Sequence, residues 1–323
     1  MRVAVIGVGN MGQHHARNYS EIGDVELVAV ADISEKLGKP LAERFGCKYY
    51  KNYKDMLEKE QLDIVTIAVP TKFHKDVALD CIEKGINILL EKPIAGNVRD
   101  AKKIVEKAKE KGVKFTVGHI ERFNPAVIKL KEMMDKGKLG EIVSIGNTRI
   151  GPMPPQIKDA NVVIDIGVHD IDLINWFYGK LPTQILATGG NALNKMQSDY
   201  VNIFMKYGNK SGSVQANWIT PAKVRQMVVC GTKAYVELNF ITQELAFYES
   251  EYSFETDSFG EFVIKFGQLK DKEVIEVENI EPLRAEIESF INAVKTNTKP
   301  VMTAREAIDA LEIACKVDKM VRR

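Results

Sequence analysis

The sequence predicts an α/β chain of two domains, a doubly wound parallel sheet followed by a second α/β domain with a large, mostly antiparallel sheet. Three observations carry this. The apolar run at residues 3–6 breaks into the turn Gly7-Val-Gly9-Asn10-Met11-Gly12, the strand, glycine turn and helix that open a doubly wound fold. From residue 1 to about 118, apolar runs alternate with amphipathic segments, the order of parallel strands joined by crossover helices. Beyond Gly118, short strand-like runs follow one another with turn residues between them, which suits antiparallel pairing. A length of 323 residues agrees, being long for a single core.

Taken in order, the runs at 3–6, 26–31, 64–69, 87–90 and 114–117 read as buried strands. The segments at 34–45, 53–59, 74–84 and 98–111 read as helices, the first with Ser34 as N-cap and the last two closing on Gly85 and Gly112. These make a first domain over residues 1–118. The second, 119–323, begins with a helix at 125–136 and a strand at 141–150, then the loop Gly151-Pro-Met-Pro-Pro155, an exposed segment suited to moving over a substrate. A helix at 165–178 follows, then strands at 184–189, 200–206, 211–218, 225–230 and 234–238, with weaker ones to about 277. Gly208-Asn209 marks a hairpin turn, and two helices start near Pro282 and near Thr303, an N-cap ahead of Glu306. These last helices are candidates to pack back on the first domain.

The 45 Lys+Arg and 44 Asp+Glu nearly cancel, so no electrostatic case exists for nucleic acid or an acidic membrane surface. Cys47, Cys81, Cys230 and Cys315 are far apart and form no Cys-x-x-Cys pair, so each is expected as a small core residue rather than part of a zinc or disulfide framework. The first strand begins at once and ends in glycine, so no signal peptide is expected, nor any membrane span, and the expected compartment is the cytoplasm.

The glycine turn has a chemical reading. Gly7 makes the tight turn, Gly9 lets backbone approach a pyrophosphate, and Gly12 lets the helix pack on the strand, while helix N–H groups from Asn10 and Met11 onward face the phosphates. Asp32 ends the second strand, where an acid accepts from the adenosine ribose hydroxyls and repels a 2′-phosphate. That favours NAD; Lys36 can soften the preference, so NADP stays open. His14, His15, His74, His119 and His169 all fall near predicted strand-to-helix junctions, which suggests a polar crevice, with His14 and His15 themselves exposed or supporting.

Ile88-Leu-Leu-Glu91-Lys92-Pro93 puts a lysine at the end of a buried strand, beside a proline that cannot extend the ladder. Glu91 and Lys92 either terminate the strand in solvent, or Lys92 faces an oxidised nicotinamide, where like charge and desolvation suit it to proton transfer. Asp165 and His169 lie four apart, so on a helix an aspartate can hold and orient an imidazole. The alternatives are a capping Asp165 with a partly exposed His169, or a metal set completed by Asp172. No further ligand cluster accompanies that set, so no metal is predicted.

With Gly7-x-Gly9-x-x-Gly12, Pro70-Thr71-Lys-Phe-His74, Glu91-Lys92-Pro93 and Asp165-x-x-x-His169 in this order, the chain resembles, over its whole length, the glucose-fructose oxidoreductase / inositol dehydrogenase / rhizopine catabolism (GFO/IDH/MocA) family. The resemblance implies a Rossmann domain followed by a mostly antiparallel α/β domain for substrate binding and oligomerisation. It implies NAD, with Pro70, Thr71, His74, Glu91 and Lys92 beside it, and an enzyme whose catalytic pair is Lys92 and His169, supported by Asp165. It also implies a cis bond before Pro93. Within the family, Gly118-His119-Ile-Glu121-Arg122-Phe-Asn124-Pro125 is similar to members that oxidise a nucleotide sugar, which implies the 3-hydroxyl of UDP-N-acetylglucosamine as substrate, met by Lys92, Arg122, Asn124, Asp165 and His169.

The alternatives are a dehydrogenase of a free polyol or sugar such as inositol or glucose, or a dinucleotide-binding regulator without catalysis. The presence of Lys92, Asp165 and His169 favours an enzyme. Runs such as Val228-Val-Cys230 and Ala234-Tyr-Val236 leave apolar groups on both sheet faces, so a homodimer or homotetramer is expected.

Overall fold

The first apolar run forms β1 (Arg2–Ile6), buried from Val3 to Ile6. A strand with no polar face needs helices on both sides, and alternating helices supply them. The computed structural model describes residues 1–153, 161–194, 196–249, 252–256, 262–266 and 273–322. Two units emerge, Met1–Phe123 with Glu281–Glu312, and Asn124–Ile280 with Ile313–Arg323.

In the first unit β1 is followed by α1 (Asn10–Glu21), β2 (Glu26–Ala31), α2 (Glu35–Phe45), β3 (Lys48–Tyr50), α3 (Tyr53–Lys59), β4 (Ile64–Ile67), α4 (His74–Glu83), β5 (Asn87–Leu90), α5 (Val98–Lys111) and β6 (Phe115–Val117). The six strands pair in parallel in the order β3-β2-β1-β4-β5-β6. The order reverses at β1 and β4, which opens a ligand crevice at their carboxyl ends. The third strand escaped the sequence reading because it is a three-residue, half-exposed edge strand with no apolar run. The run at 64–69 leaves the sheet after Ile67, once the Ala68 N–H has donated to the Ile6 carbonyl.

In the second unit come α6 (Pro125–Asp135), β7 (Ile142–Pro152), α7 (Val168–Tyr178), β8 (Gln184–Gly190), β9 (Tyr200–Tyr207), β10 (Lys210–Asn217), β11 (Ile219–Gly231), β12 (Ala234–Asn239), β13 (Glu244–Glu249), β14 (Tyr252–Thr256), β15 (Phe262–Phe266) and β16 (Glu273–Ile275). An eight-stranded sheet runs β16-β13-β12-β11-β7-β10-β9-β8, antiparallel except where β10 lies parallel to β7. The hairpin at Gly208-Asn209 sets Tyr207 opposite Lys210. Strand β11 starts earlier than its apolar run because a register shift between Ile219 and Val224 admits a polar, exposed stretch. Pairing aligns Leu186, Phe204, Ser213, Gly146, Val228, Glu237, Ala246 and Val274 across all eight strands on one face. Leu186, Phe204, Val228 and Val274 of that row are exposed.

The chain closes with α8 (Pro282–Lys295) and α9 (Ala304–Val321). Within the first unit α8 lays Leu283, Ile287, Phe290 and Ile291 into the same core cluster as Val5, Ala16 and Tyr19. The start of α9 is a reciprocal cap. The Thr303 N–H donates to Glu306 Oε2 at 3.0 Å and the Glu306 N–H donates back to Thr303 Oγ1 at 3.3 Å. Of the cysteines Cys81 is buried and Cys47 and Cys315 partly so, but Cys230 is exposed, which corrects its expected place in the core: its neighbours Val229 and Gly231 take the inward positions of β11. Pro154 and Pro155 of the expected loop lie outside the described residues; of its described part, Gly151 and Pro152 end β7 and Met153 follows, exposed.

Candidate active site

The dinucleotide cradle is set by what glycine leaves out. Gly7 has φ +84°, and a Cβ there would sit 2.8 Å from the Ala68 backbone; a Cβ on Gly12 would stand 1.8 Å from the Gly7 carbonyl oxygen. Neither position accepts another residue without moving the turn. A Cβ on Gly9 would meet no protein atom within 4 Å, so the backbone there faces open space at the amino end of α1. Met11 turns its side chain toward the core cluster, so its N–H is what it offers a phosphate, and Asn10 is exposed beside it.

Asp32 closes the cradle. Its Oδ2 accepts from the Val8 N–H and its Oδ1 from the Ser34 N–H, both at 2.8 Å. These bonds aim the carboxylate and leave each oxygen further acceptor capacity for ribose hydroxyls. The cradle therefore fits a dinucleotide. Pro70 and Thr71 begin a tight turn after β4 that leaves Phe73 exposed.

His74 has a different place from the one expected. It is buried, and Nδ1 and Nε2 each lie 2.9 Å from a backbone carbonyl, those of Pro93 and Val69. Burial lowers its imidazole pKa below the ordinary range. The ring is thus a strut between the end of β4 and the Lys92–Pro93 turn, whose peptide bond is cis. Its nitrogens face protein rather than cofactor.

Glu91 and Lys92 leave β5 together, and the strand sorts them. The Glu91 N–H extends the ladder to the Ile67 carbonyl at 2.9 Å and its side chain turns inward, whereas Lys92 is half-buried. Glu91 Oε1 lies 2.9 Å from Nε2 of the fully buried His15, and Oε2 accepts from the Lys92 N–H at 3.2 Å. Burial works to raise this carboxyl, yet its hydrogen bond with His15, together with the charge and backbone N–H of Lys92, holds it below the usual carboxylate range. Glu91 is therefore an ionised anchor for the lysine, and His15, read from sequence as exposed or supporting, is its buried partner. The signal for His15 was its place on the inward stripe of α1 with Gly12, Ala16 and Tyr19.

In the second unit Asp165 lies in a π-helical turn, Val163–Gly167, that precedes α7, so the expected single helix from 165 starts earlier and wider. Asn161 caps that turn, its Oδ1 accepting from Val163 and Ile164, both at 3.0 Å. His169 stands in the first turn of α7, half-buried. Its neighbour Asp170, absent from the sequence reading, is fully buried. Arg149 Nε donates to both its oxygens at 3.0 Å and Asn147 Nδ2 to Oδ1 at 2.9 Å. The Arg149 guanidinium also stacks over Phe240, 4.8 Å from the ring centre. This pairing of β7 with α7 fixes the turn carrying His169, and no local spacing in the sequence announces a partner 21 residues away.

Arg122 and Asn124 are both buried and occupied. Arg122 Nη1 donates to Glu306 at 2.9 Å, tying the residues after β6 to the cap of α9. Asn124 caps α6, accepting from the Ala126 N–H at 3.1 Å and donating to the Phe240 carbonyl at 3.1 Å. These bonds tie both side chains into the scaffold around them. Among the described residues no group of three His, Cys, Asp or Glu side chains is placed to hold a metal, and no helix is long and apolar enough to cross a membrane.

Residues 1–119 match the model of the oxidoreductase family with an NAD-binding Rossmann fold, and residues 127–237 match the GFO/IDH/MocA C-terminal domain. UDP-N-acetylglucosamine 3-dehydrogenase of Acidithiobacillus ferrooxidans is 26% identical, with 100% of this chain and 99% of the relative covered. The scyllo-inositol 2-dehydrogenase (NAD(+)) of Bacillus subtilis is 27% identical over 97% of this chain and 92% of its own length. A solved structure of the Acidithiobacillus enzyme superposes with a TM-score of 0.86 at 24% identity, covering 99% of this chain and 97% of that one. The chain, with its glycine cradle and its six- and eight-stranded sheets, belongs to the GFO/IDH/MocA family of NAD-dependent oxidoreductases.

Proposed function

We propose that the protein oxidises a secondary alcohol of a nucleotide sugar, the 3-hydroxyl of UDP-N-acetylglucosamine, to the ketone. The observation that carries the reading is end-to-end similarity to an enzyme named for that reaction, with essentially the whole of both chains covered. Oxidising a secondary alcohol needs an acceptor for the hydroxyl proton and a cation for the developing alkoxide. His169 takes the proton, Asp165 supports its imidazole, and Lys92 supplies the positive charge, held in place by Glu91. NAD, when bound, accepts the hydride. Gly7, Gly9 and Gly12 with the amino end of α1 hold its phosphates, and Asp32 holds the adenosine ribose and disfavours a 2′-phosphate. On this reading the exposed row of Leu186, Phe204, Val228 and Val274 seats a second copy of the chain, giving a homodimer or homotetramer in the cytoplasm.

Similarity to an inositol dehydrogenase over nearly the full length favours a second reading, oxidation of a free polyol. NADH formation from NAD with UDP-N-acetylglucosamine, UDP-glucose, inositol and glucose separates the two. Turnover confined to the acetamido nucleotide sugar is expected. Turnover on inositol or glucose moves the assignment to the second reading, and silence on all four while NAD binds overturns both.

A further inference from the structure

The mechanism above leaves one buried titratable side chain unused. Glu286 lies on α8 within the core of the first unit, on the same inward stripe as Leu283, Ile287 and Phe290. It is 1% exposed, and neither carboxyl oxygen has a hydrogen-bond partner among the described residues. Helix α1 packs against α8 there. It brings a second orphan to the layer, the buried Nδ1 of His15, and ties itself to the start of α8 through Asn18 Nδ2, which donates to Glu281 at 3.2 Å.

The two orphans are complementary. Glu91 is an ionised acceptor, so in a neutral imidazole the His15 nitrogen facing it, Nε2, carries the hydrogen and leaves Nδ1 as an acceptor. Burial, with the Glu91 carboxylate nearby, pushes the Glu286 carboxyl well above the usual range, so it keeps its proton and is a donor. A donor without an acceptor and an acceptor without a donor thus share one buried layer, where leaving both unmade is costly.

We propose that Glu286 is a positioning residue: its carboxyl O–H donates to His15 Nδ1, directly or through one water, and so fixes the chain Glu286–His15–Glu91 that ends at the backbone of Lys92. This chain puts a single charge, that of Glu91, in the layer and locks the imidazole in its Nε2–H tautomer. Its consequence for turnover rests on the reading of Lys92 given above; the hydrogen bonds do not.

The test uses the full-length chain labelled with 15N at histidine, in wild type, Glu286→Leu and Glu286→Gln, with His15 assigned from the signal lost in His15→Asn. In wild type His15 is expected as the Nε2–H tautomer with a hydrogen-bonded Nδ1. In Glu286→Leu the Nδ1 resonance moves to the position of a nitrogen that accepts no bond, and Glu286→Gln, whose amide still donates, restores it. An Nδ1–H tautomer or a doubly protonated ring in wild type, or an Nδ1 signal indifferent to Glu286→Leu, overturns the proposal, and the wild-type spectrum decides even if the leucine variant fails to fold. Steady-state kinetics then report the consequence: kcat about tenfold lower in Glu286→Leu, KM for NAD within about twofold, and recovery in Glu286→Gln. Resonances that shift as expected with unchanged turnover in all variants support the hydrogen-bonded chain and place the failure in the role of Lys92.

Discussion

Both units place a proposed reacting residue next in sequence to a buried carboxylate, and they anchor that carboxylate in opposite ways. Lys92 follows Glu91, whose partners are an imidazole at 2.9 Å and one backbone N–H at 3.2 Å. His169 precedes Asp170, which is held by both an arginine and an asparagine. An arginine does not titrate in the working range and matches a carboxylate with a planar fork, so the anchor in the second unit is a lasting ion pair. The anchor in the first unit is built from groups that can titrate, and it adjoins a second acid with no hydrogen-bond partner among the described residues. A strut that only has to hold a base in place can be a fixed ion pair. The strut beside the proposed reacting lysine is instead built from hydrogen bonds in which an imidazole takes part.

Breaking the permanent anchor is expected to give the largest effect. Asp170→Ala removes the carboxylate that Arg149 faces inside the protein, and deleting one partner of a buried pair typically costs about 3–5 kcal/mol. Urea unfolding followed by circular dichroism should show that loss; a loss below about 1 kcal/mol would mean that the pair contributes geometry without stability.

The titratable anchor gives a smaller loss that depends on pH. His15→Leu leaves Glu91 with the Lys92 N–H alone, at a cost of about 1–3 kcal/mol near neutral pH. Because the Glu91 carboxyl is held below its ordinary range in the folded protein, its contribution is present above the unfolded value, about 4.3, and vanishes as pH falls through the folded one. The gap between variant and wild type in urea unfolding should therefore close on acidification. A gap that stays constant down to acid pH would show that His15 acts through packing instead.

The same contrast explains what was legible in the sequence. The Rossmann half could be read nearly element by element, because buried parallel strands are continuous apolar runs and glycines mark the turns: helices α3 and α5 and strands β2 and β5 fall where the pattern put them. In the second unit the strands were found but their ends were not, since the sheet has one exposed face and a register shift that no apolar run records. The motif residues Gly7, Gly12, Lys92 and His169 stand out by spacing. Their supports do not. Asp170 needs Arg149 on a strand far away in sequence, His15 needs Glu91 some 76 residues on, and Glu286 enters the layer from a helix nearly two hundred residues after β5. Arg122 and Asn124 show contacts that the sequence does not announce. A polar cluster after a strand resembles a binding segment, and in the fold Arg122 also meets Glu306 and Asn124 also caps α6.

The smallest expected effect sharpens the comparison most, because its sign is opposite to that of His15→Leu. Glu286 keeps its proton in the folded chain, whereas in the unfolded chain it ionises near the ordinary value of about 4.3. Above that pH the unfolded state binds fewer protons than the folded one, so the wild type loses stability as pH rises until the folded carboxyl itself ionises. Glutamine keeps the shape and a donor but cannot titrate, so Glu286→Gln should gain on the wild type with rising pH. Between about pH 5 and pH 6 that advantage widens by up to about 1.4 kcal/mol, the most that one proton can contribute per unit. Paired urea titrations at the two pH values measure it as the difference in extrapolated unfolding free energy. Parallel curves would mean that Glu286 titrates normally in the folded protein, and the donor that the first unit needs for His15 would have to come from elsewhere.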